Sequence, residues 1–241
     1  MDKGQPTLKG ICQQFQIPEK SVLALYLLGS RLWGLAKEDS DYDVTCIVSQ
    51  LPQKQLKGFI SVHQSNIDLL VLTQDYFLGL CLVPPHVLPL EKLAEQALLQ
   101  VITLYVPQKH ILYVHSQWKP IYHYLPHQMD KDLLKTIERD ASMSKKYWEK
   151  KQKKRSIKTM VHAGRLLAFA HQMATSQRID DWEAVNGVSD HLHALPTFSL
   201  SWDAFWEEIR VALEPLWQTL LDRLQLAMTS GDISLPSFPV P

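Results

Sequence analysis

The sequence predicts an α+β protein in which a small mixed sheet is followed by an all-helical C-terminal domain. Three apolar runs in the first third of the chain, residues 22–28, 42–49 and 65–73, have the length and β-branched content of strands. From residue 130 onward, apolar residues recur at helical spacing instead. Residues 115–130 between the two parts are rich in proline, histidine and aromatic residues, which indicates a domain boundary.

The elements of the N-terminal part follow from local pattern. A short helix is expected before Pro18, and the first strand comes directly after it. Residues 50–63, between the second and third strands, fit either a short helix or an edge element. From residue 74 to about residue 114 the pattern is helical, with interruptions at prolines.

The C-terminal part is predicted to contain only helices. Asp130 is a candidate N-cap for a helix that runs to about Lys154. The last helices are expected over residues 201–228, with a break at Pro215. The predicted limits are 1–118 for the sheet domain, 128–230 for the helical domain and 231–241 for a disordered tail.

Composition restricts the function classes without selecting one. Lys plus Arg and Asp plus Glu both number 25, so the chain as a whole is not an obvious binder of polyanions. Three scattered cysteines, Cys12, Cys46 and Cys81, fit neither a disulfide framework nor a zinc site, and we expect core thiols. With no signal peptide and no apolar run long enough to span a bilayer, the expected location is the cytoplasm, away from membranes.

Three aspartates are placed to form one acidic patch. Asp41 and Asp43 are two residues apart at the start of the second strand, so their side chains share a face. If the third strand pairs with the second, Asp68 can reach the same patch, because opposed Cβ atoms are only about 5 Å apart. Clustered carboxylates need a cation, and hard oxygen ligands suit Mg²⁺. Two such ions about 4 Å apart could activate an attacking hydroxyl and stabilise a leaving pyrophosphate.

A Gly-Ser turn stands behind the first strand. Gly29 permits a tight turn with close approach of the backbone, and exposed N–H groups there can bind a phosphate. The Ser30 hydroxyl and the Arg31 guanidinium can add contacts, although a surface cation is the plainer alternative for Arg31. The turn is therefore predicted to hold a triphosphate while the acidic patch holds the metals.

These motifs resemble the polymerase-beta-like nucleotidyltransferase superfamily. The stretches "LLGSRLWG" and "SDYDV", with ten residues between Gly-Ser and the Asp-Tyr-Asp, and the later "NIDLLVL" carry the resemblance. The form is similar to a branch of predicted nucleotidyltransferases, some associated with RNA repair. The resemblance covers roughly residues 20–75 and implies a palm-like sheet domain. It also implies that Asp41, Asp43 and Asp68 bind two Mg²⁺ ions, with Mn²⁺ as an alternative, and that Asp68 helps to deprotonate the acceptor. Gly29 and Ser30 would bind nucleotide phosphate.

Residues 145–158 form a local excess of positive charge. They carry eight basic residues against one glutamate, with Tyr147 and Trp148 between them. Such a segment suits a nucleic-acid backbone, although a solvated helix face is the plainer alternative. The candidate nucleic-acid contacts are Lys146, Lys150, Lys153, Lys154 and Arg155. A further alternative is that Lys158, His162 and Arg165, at roughly helical spacing, face the cleft and bind the nucleotide.

The combined expectation is a Mg²⁺-dependent enzyme whose helical domain closes over the cleft. It would transfer a nucleoside monophosphate from a nucleoside triphosphate such as ATP to an acceptor hydroxyl and release pyrophosphate. The first choice of acceptor is an RNA 3′ end, with tRNA as one case. Transfer to a protein or small-molecule hydroxyl is the enzymatic alternative, and a catalytically silent nucleotide- or RNA-binding module is the alternative of another class.

Overall fold

The structure, a computed structural model, describes residues 5–51, 59–77, 105–118, 126–176, 178–196 and 199–227. Among these, the residues before 78 together with 105–118 form one compact unit, and those from 126 onward form a second. The predicted domain limits stay a prediction. The predicted tail and Cys81 lie outside the described residues.

The first unit is built on a five-stranded sheet. The strands are β1 (Val22–Leu27), β2 (Tyr42–Val48), β3 (Phe59–Gln64), β4 (Ile67–Thr73) and β5 (Ile111–Val114). Their order across the sheet is β3-β4-β2-β1-β5. The central pair, β2 and β4, is parallel, and the other neighbouring pairs are antiparallel. This mixed sheet, with the helices described below, confirms the predicted α+β class.

The core of this unit lies along β1 and β2, which are buried over nearly their whole length. Helix α1 (Leu8–Phe15) packs Ile11 and Cys12 into the same cluster as Cys46 of β2. Both cysteines are free and buried, as predicted, and burial raises the pKa of each thiol. The continuous apolar runs of the sequence therefore mark strands that are covered on both faces.

Two elements of the sheet differ from the sequence expectation or complete it. Residues 59–64, for which the sequence allowed either a short helix or an edge element, form the edge strand β3. The helical pattern predicted as far as residue 114 is wrong at its end, because Ile111–Val114 is a strand. This segment pairs with β1, with Val114 opposite Ala24, and such long-range pairing overrides a local pattern.

The second unit contains four described helices. They are α3 (Pro126–Glu149), α4 (Lys153–Ser176), α5 (Asn186–Ala194) and α6 (Trp202–Ala227). The predicted helix from Asp130 to Lys154 is wrong at both ends, since Asp130 lies inside α3 and the chain turns before Lys153. Lys151 has a left-handed φ of 59°, and its N–H donates to the carbonyl of Trp148, which closes the helix. No helix in the described part of the chain is both long and apolar enough to cross a membrane.

Two buried serines connect helices α3 and α4 by reciprocal hydrogen bonds. The hydroxyl of Ser144 donates to the carbonyl of Ser156 at 3.0 Å, and the hydroxyl of Ser156 donates to the carbonyl of Ser144 at 2.9 Å. Nearby, Trp148 of α3 stacks on Phe205 of α6 with ring centroids 4.1 Å apart. Polar satisfaction and aromatic packing thus hold three helices together.

Pro215 does not break the last helix. It lies inside α6, which continues for twelve residues beyond it to Ala227. Leu213 and Trp217, on either side of the proline, are both buried. Packing on both sides offsets the missing N–H, so the predicted break is wrong.

Because Pro215 is exposed and interior to a helix, replacing it should stabilise the protein. Pro215→Ala restores an N–H donor for the carbonyl of Val211 and removes the steric conflict of the ring. We expect the free energy of unfolding to rise by about 1–3 kcal/mol, measured by urea denaturation of the full chain.

Val211→Ala is the matched control, because Val211 lies one turn earlier and is 64% exposed. It should change the free energy of unfolding by less than about 0.7 kcal/mol. A Pro215→Ala protein that is no more stable than the control would contradict this account of α6.

Candidate functional site

The parallel pairing of β2 with β4 brings the predicted aspartates to one face of the sheet. Asp43 of β2 stands in register with Asp68 of β4, and residues in register project to the same face. Asp41 lies one residue before β2, where the N–H of Tyr42 donates to the carbonyl of Asn66 at 2.8 Å and extends the ladder. Asp41 and Asp68 are exposed and Asp43 is half-buried. The structure thus gathers three carboxylates at the start of two adjacent strands.

A histidine that the sequence analysis did not single out lies beside these aspartates. His63 of β3 is the register partner of Asp68, and its Nδ1 lies 2.5 Å from Asp68 Oδ1. One ligand atom from each of Asp41, His63 and Asp68 lies within 4.8 Å of the others. The row across β3, β4 and β2 therefore reads His63, Asp68, Asp43.

A sequence signal for His63 existed in the hairpin that joins β3 to β4. The turn residues are Ser65 and Asn66, and Ser65 adopts a left-handed φ of 58°. In a two-residue hairpin, positions five apart that flank the turn face each other, as His63 and Asp68 do. Interpreting "HQSNID" as a hairpin would have paired them.

Gly29 brings the backbone against the acidic patch. Its φ is 64°, and a Cβ added there would lie 1.7 Å from Asp43 Oδ2. The preceding N–H, of Leu28, donates to the carbonyl of Asp43 at 2.8 Å. Only glycine fits here, for reasons of both conformation and space.

The residues after Gly29 shape the loop that leads to Asp41. Ser30 is in the one-turn helix α2 (Gly29–Leu32) and is half-buried. The Arg31 guanidinium donates from Nη2 to the carbonyl of Ser40 at 2.7 Å and lies 3.8 Å above the Tyr42 ring. Arg31 therefore holds the two ends of the loop together. Its predicted phosphate contact stays a prediction.

The candidate nucleotide contacts of the helical unit lie on α4 in different surroundings. Lys158 is exposed. His162 is half-buried, with Nδ1 2.7 Å from Oδ2 of the buried Asp140. Arg165 is buried, and desolvation lowers its pKa to about 10, which leaves it charged at neutral pH. Of the three, Lys158 is the most accessible to a ligand.

The predicted nucleic-acid contacts gather around the turn between α3 and α4. The exposed members are Lys146, Lys150, Lys154 and Arg155. Lys153 lies 3.2 Å above the Trp148 ring, and its pKa is lowered by desolvation. Arg155 lies 4.2 Å above the Tyr147 ring.

The two aromatic residues of this segment have packing roles. Trp148 is buried, and Tyr147 is half-buried beneath the Arg155 guanidinium. The charge of the turn, rather than its rings, is what the structure offers to an anionic partner.

A comparison with protein families finds a match in the N-terminal part of the chain. Residues 2–74 match the family described as RNA repair pathway DNA polymerase beta family. The matched segment contains the Gly-Ser turn, the three aspartates and His63. The match confirms the predicted polymerase-beta-like nucleotidyltransferase superfamily, and nucleotidyltransferase is the predicted enzyme class. None of the curated proteins searched matches the chain.

Two solved structures are similar to the chain at low identity. A nucleotidyltransferase-like protein from Exiguobacterium sibiricum is 12% identical, with 94% of this chain and 80% of that chain covered and a TM-score of 0.31. The spectinomycin adenyltransferase AAD(9) from Enterococcus faecialis, solved with ATP and spectinomycin, is 16% identical. That comparison covers 90% of this chain and 96% of that chain, with a TM-score of 0.42. Both likenesses are too weak to bear on function.

Because Gly29 contacts Asp43, a substitution at Gly29 tests whether the site requires a residue without a side chain at this position. Gly29→Ala should displace the Asp43 carboxylate, and the left-handed φ alone should cost about 1–2 kcal/mol in the free energy of unfolding. Urea denaturation of the full chain measures the loss.

Gly187→Ala is the control, since a Cβ at Gly187 meets nothing within 4 Å. That variant should be neutral or slightly more stable, within about 1 kcal/mol. If both alanine variants unfolded at the same urea concentration, Gly29 would not have the role given to it here.

Proposed function

We propose that this chain, whose N-terminal part is a polymerase-beta-like nucleotidyltransferase domain, transfers a nucleoside monophosphate from a nucleoside triphosphate to an acceptor hydroxyl. The observation that carries the proposal is the register of β2 and β4, which sets Asp43 opposite Asp68 beside the Gly29 turn. The family match supports it, because residues 2–74 include all of these positions. ATP is the first triphosphate to test.

The acidic patch fits a divalent metal ion. Asp41, Asp68 and His63 offer ligand atoms within 4.8 Å of one another, all on exposed side chains, and Asp43 is the neighbour of Asp68 in register. Two Mg²⁺ ions are the proposed cofactors, held by Asp41, Asp43 and Asp68. Such ions, when bound, offset the developing negative charge on the phosphate oxygens and favour ionisation of the acceptor hydroxyl.

The proposed reaction breaks one phosphoanhydride bond and forms one phosphoester. The acceptor oxygen attacks the α-phosphorus, and the bond from that phosphorus to the oxygen shared with the β-phosphate breaks. The hydroxyl proton passes to Asp68, which is exposed at the start of β4, and pyrophosphate leaves with the electron pair. The Gly29-Ser30 turn is proposed to hold the triphosphate, with Arg31 fixing the loop beside it.

Contacts from the helical unit are proposed on charge and accessibility. Lys158 is the exposed cation of the three residues on α4, and His162 is half-exposed. Arg165 keeps its charge in a buried position. We propose Lys158, His162 and Arg165 as nucleotide contacts in that order of accessibility.

An RNA 3′ end, with tRNA as one case, is the proposed acceptor. The matched family is one of the RNA repair pathway. The exposed cations at the turn between α3 and α4, Lys150 and Lys154 among them, supply a surface that suits a phosphate backbone. Transfer to a protein or to a small molecule is distinguished by where a labelled nucleotide arrives.

The test of the reaction uses α-labelled nucleoside triphosphates, Mg²⁺ and total RNA with the full chain. Label should arrive on RNA 3′ ends, and Asp43→Asn should lower the rate by about 100-fold or more, because the amide has lost the charge that a metal ion needs.

Asp39→Asn is the matched control, since Asp39 is an exposed aspartate of the loop before Asp41. It should leave the rate unchanged. Label on protein would show that the acceptor is a protein and not RNA. If the wild type and Asp43→Asn bound nucleotide equally and neither transferred it, the chain would be a silent binding module and not an enzyme.

The acceptor choice makes a separate prediction about salt. RNA binding should weaken steeply with salt, and Lys150→Ala/Lys154→Ala should reduce the slope of log K against log salt by about 0.7 for each lost contact. Fluorescence anisotropy of a labelled single-stranded RNA at several salt concentrations measures both.

Lys9→Ala/Lys20→Ala is the charge-matched control, because both lysines are exposed on the first unit. Its slope should equal that of the wild type. RNA binding that does not depend on salt would contradict the prediction. An equal reduction of the slope in the two double variants would also contradict it, because the turn between α3 and α4 would then not contact RNA.

A further inference from the structure

An imidazole beside the acidic patch changes the chemistry that the patch offers. His63 is on the edge strand β3 with a side chain that is 58% exposed, and its Nδ1 contacts the carboxylate of Asp68, which is 49% exposed. An exposed pair of this kind contributes little to stability. Its position, however, puts a nitrogen donor beside the oxygen donors of Asp41 and Asp68.

We infer that His63 is a metal ligand, and that with Asp41 and Asp68 it makes one of the two proposed metal positions bind first-row transition ions more tightly than Mg²⁺, which the oxygen ligands alone can hold. The inference rests on the proposed function, since it assigns a ligand and an ion class to the same patch. Imidazole nitrogen binds Co²⁺, Ni²⁺ and Zn²⁺ well, whereas Mg²⁺ takes oxygen ligands almost exclusively. A mixed set of two carboxylates and one imidazole therefore favours the transition ion.

The spacing of the donor atoms supports one shared ion. With bonds of about 2.1 Å, ligand atoms around one ion are about 3 Å apart when adjacent and about 4 Å apart when opposite. The three donor atoms already lie within 4.8 Å of one another, so side-chain movements of at most about 2 Å would bring them to these separations. The exposed side chains can make such movements without disturbing the core.

The chain also fixes the backbone from which these ligands project. His63 and Asp68 are cross-strand partners next to the Ser65 turn, so their spacing is set by the hairpin. Asp41 is tied to the same edge through the hydrogen bond from the N–H of Tyr42 to the carbonyl of Asn66. Because the backbone of all three ligands is held by strand pairing, it needs little further ordering when an ion binds.

The test measures metal binding directly, on tag-free full-length protein with Co²⁺ and Mg²⁺ as the probes. Isothermal titration gives the affinity for each ion, and proton NMR of the Co²⁺ form shows a hyperfine-shifted imidazole resonance when a histidine is bound. His63→Asn should weaken Co²⁺ binding by about 10–100-fold and remove that resonance, while Mg²⁺ affinity changes little. Circular dichroism of each variant confirms that it is folded.

His191→Asn is the matched control. His191 is also an exposed histidine beside a carboxylate, with Nε2 2.9 Å from Glu208 Oε2, but this pair belongs to no group of three ligands among the described residues. It should leave Co²⁺ affinity and the shifted resonance unchanged. The inference is overturned if wild type binds Co²⁺ no better than Mg²⁺, or if His63→Asn keeps its Co²⁺ affinity. Equal loss for both ions would also overturn it, because His63 would then orient Asp68 rather than bind metal.

These results are separable from those of the transfer assay. Transfer that requires Asp43, together with Co²⁺ binding that ignores His63, would overturn the ligand assignment and leave the proposed function standing. Co²⁺ binding that requires His63, without transfer to any acceptor, would support the ligand assignment and remove the proposed function.

Discussion

The parallel ladder between β2 and β4 is the constraint on which the site depends. It sets Asp43 opposite Asp68, and the hairpin from β3 adds His63 to the same row. Because side chains alternate between faces along a strand, a slip of one residue in this ladder would send one aspartate to the opposite face. The side chains of β2 from Val44 to Val48 are buried on both faces, so such a slip would also disrupt the packing on both sides of the sheet.

The backbone at the end of β1 is fitted to that ladder. Gly29 lies where a side chain would collide with the Asp43 carboxylate, and Arg31 ties the loop that follows to Ser40 and Tyr42. Like charges gathered at one edge repel each other, so the apolar core and these tethers hold an arrangement that the carboxylates alone would oppose. Like-charged side chains gathered at one edge in this way are common where a protein binds ions or substrates.

The sequence predicted those parts of the site that depend on short-range pattern. Strand periodicity and the spacing from Gly29 to Asp41 and Asp43 were enough to expect an acidic patch with Asp68. The His63 pairing and the turn at Lys151 were missed although both are local, because the short hairpin and the helix end were not recognised in the sequence. The strand at residues 111–114 and the continuous helix through Pro215 were predicted wrongly because pairing or packing elsewhere in the chain decides a conformation that local propensity leaves open.

The placement of β5 has a consequence for how the chain is made. Tyr26 of β1 accepts a buried hydrogen bond from Trp118 Nε1, a partner 92 positions later, and β5 just before it covers the open side of β1. On the ribosome, β1 and β2 emerge long before β5 exists, so one side of the nascent sheet keeps unpaired N–H and C=O groups during much of translation. The growing polypeptide, more than the finished one, is therefore the form that needs protection from pairing with other chains.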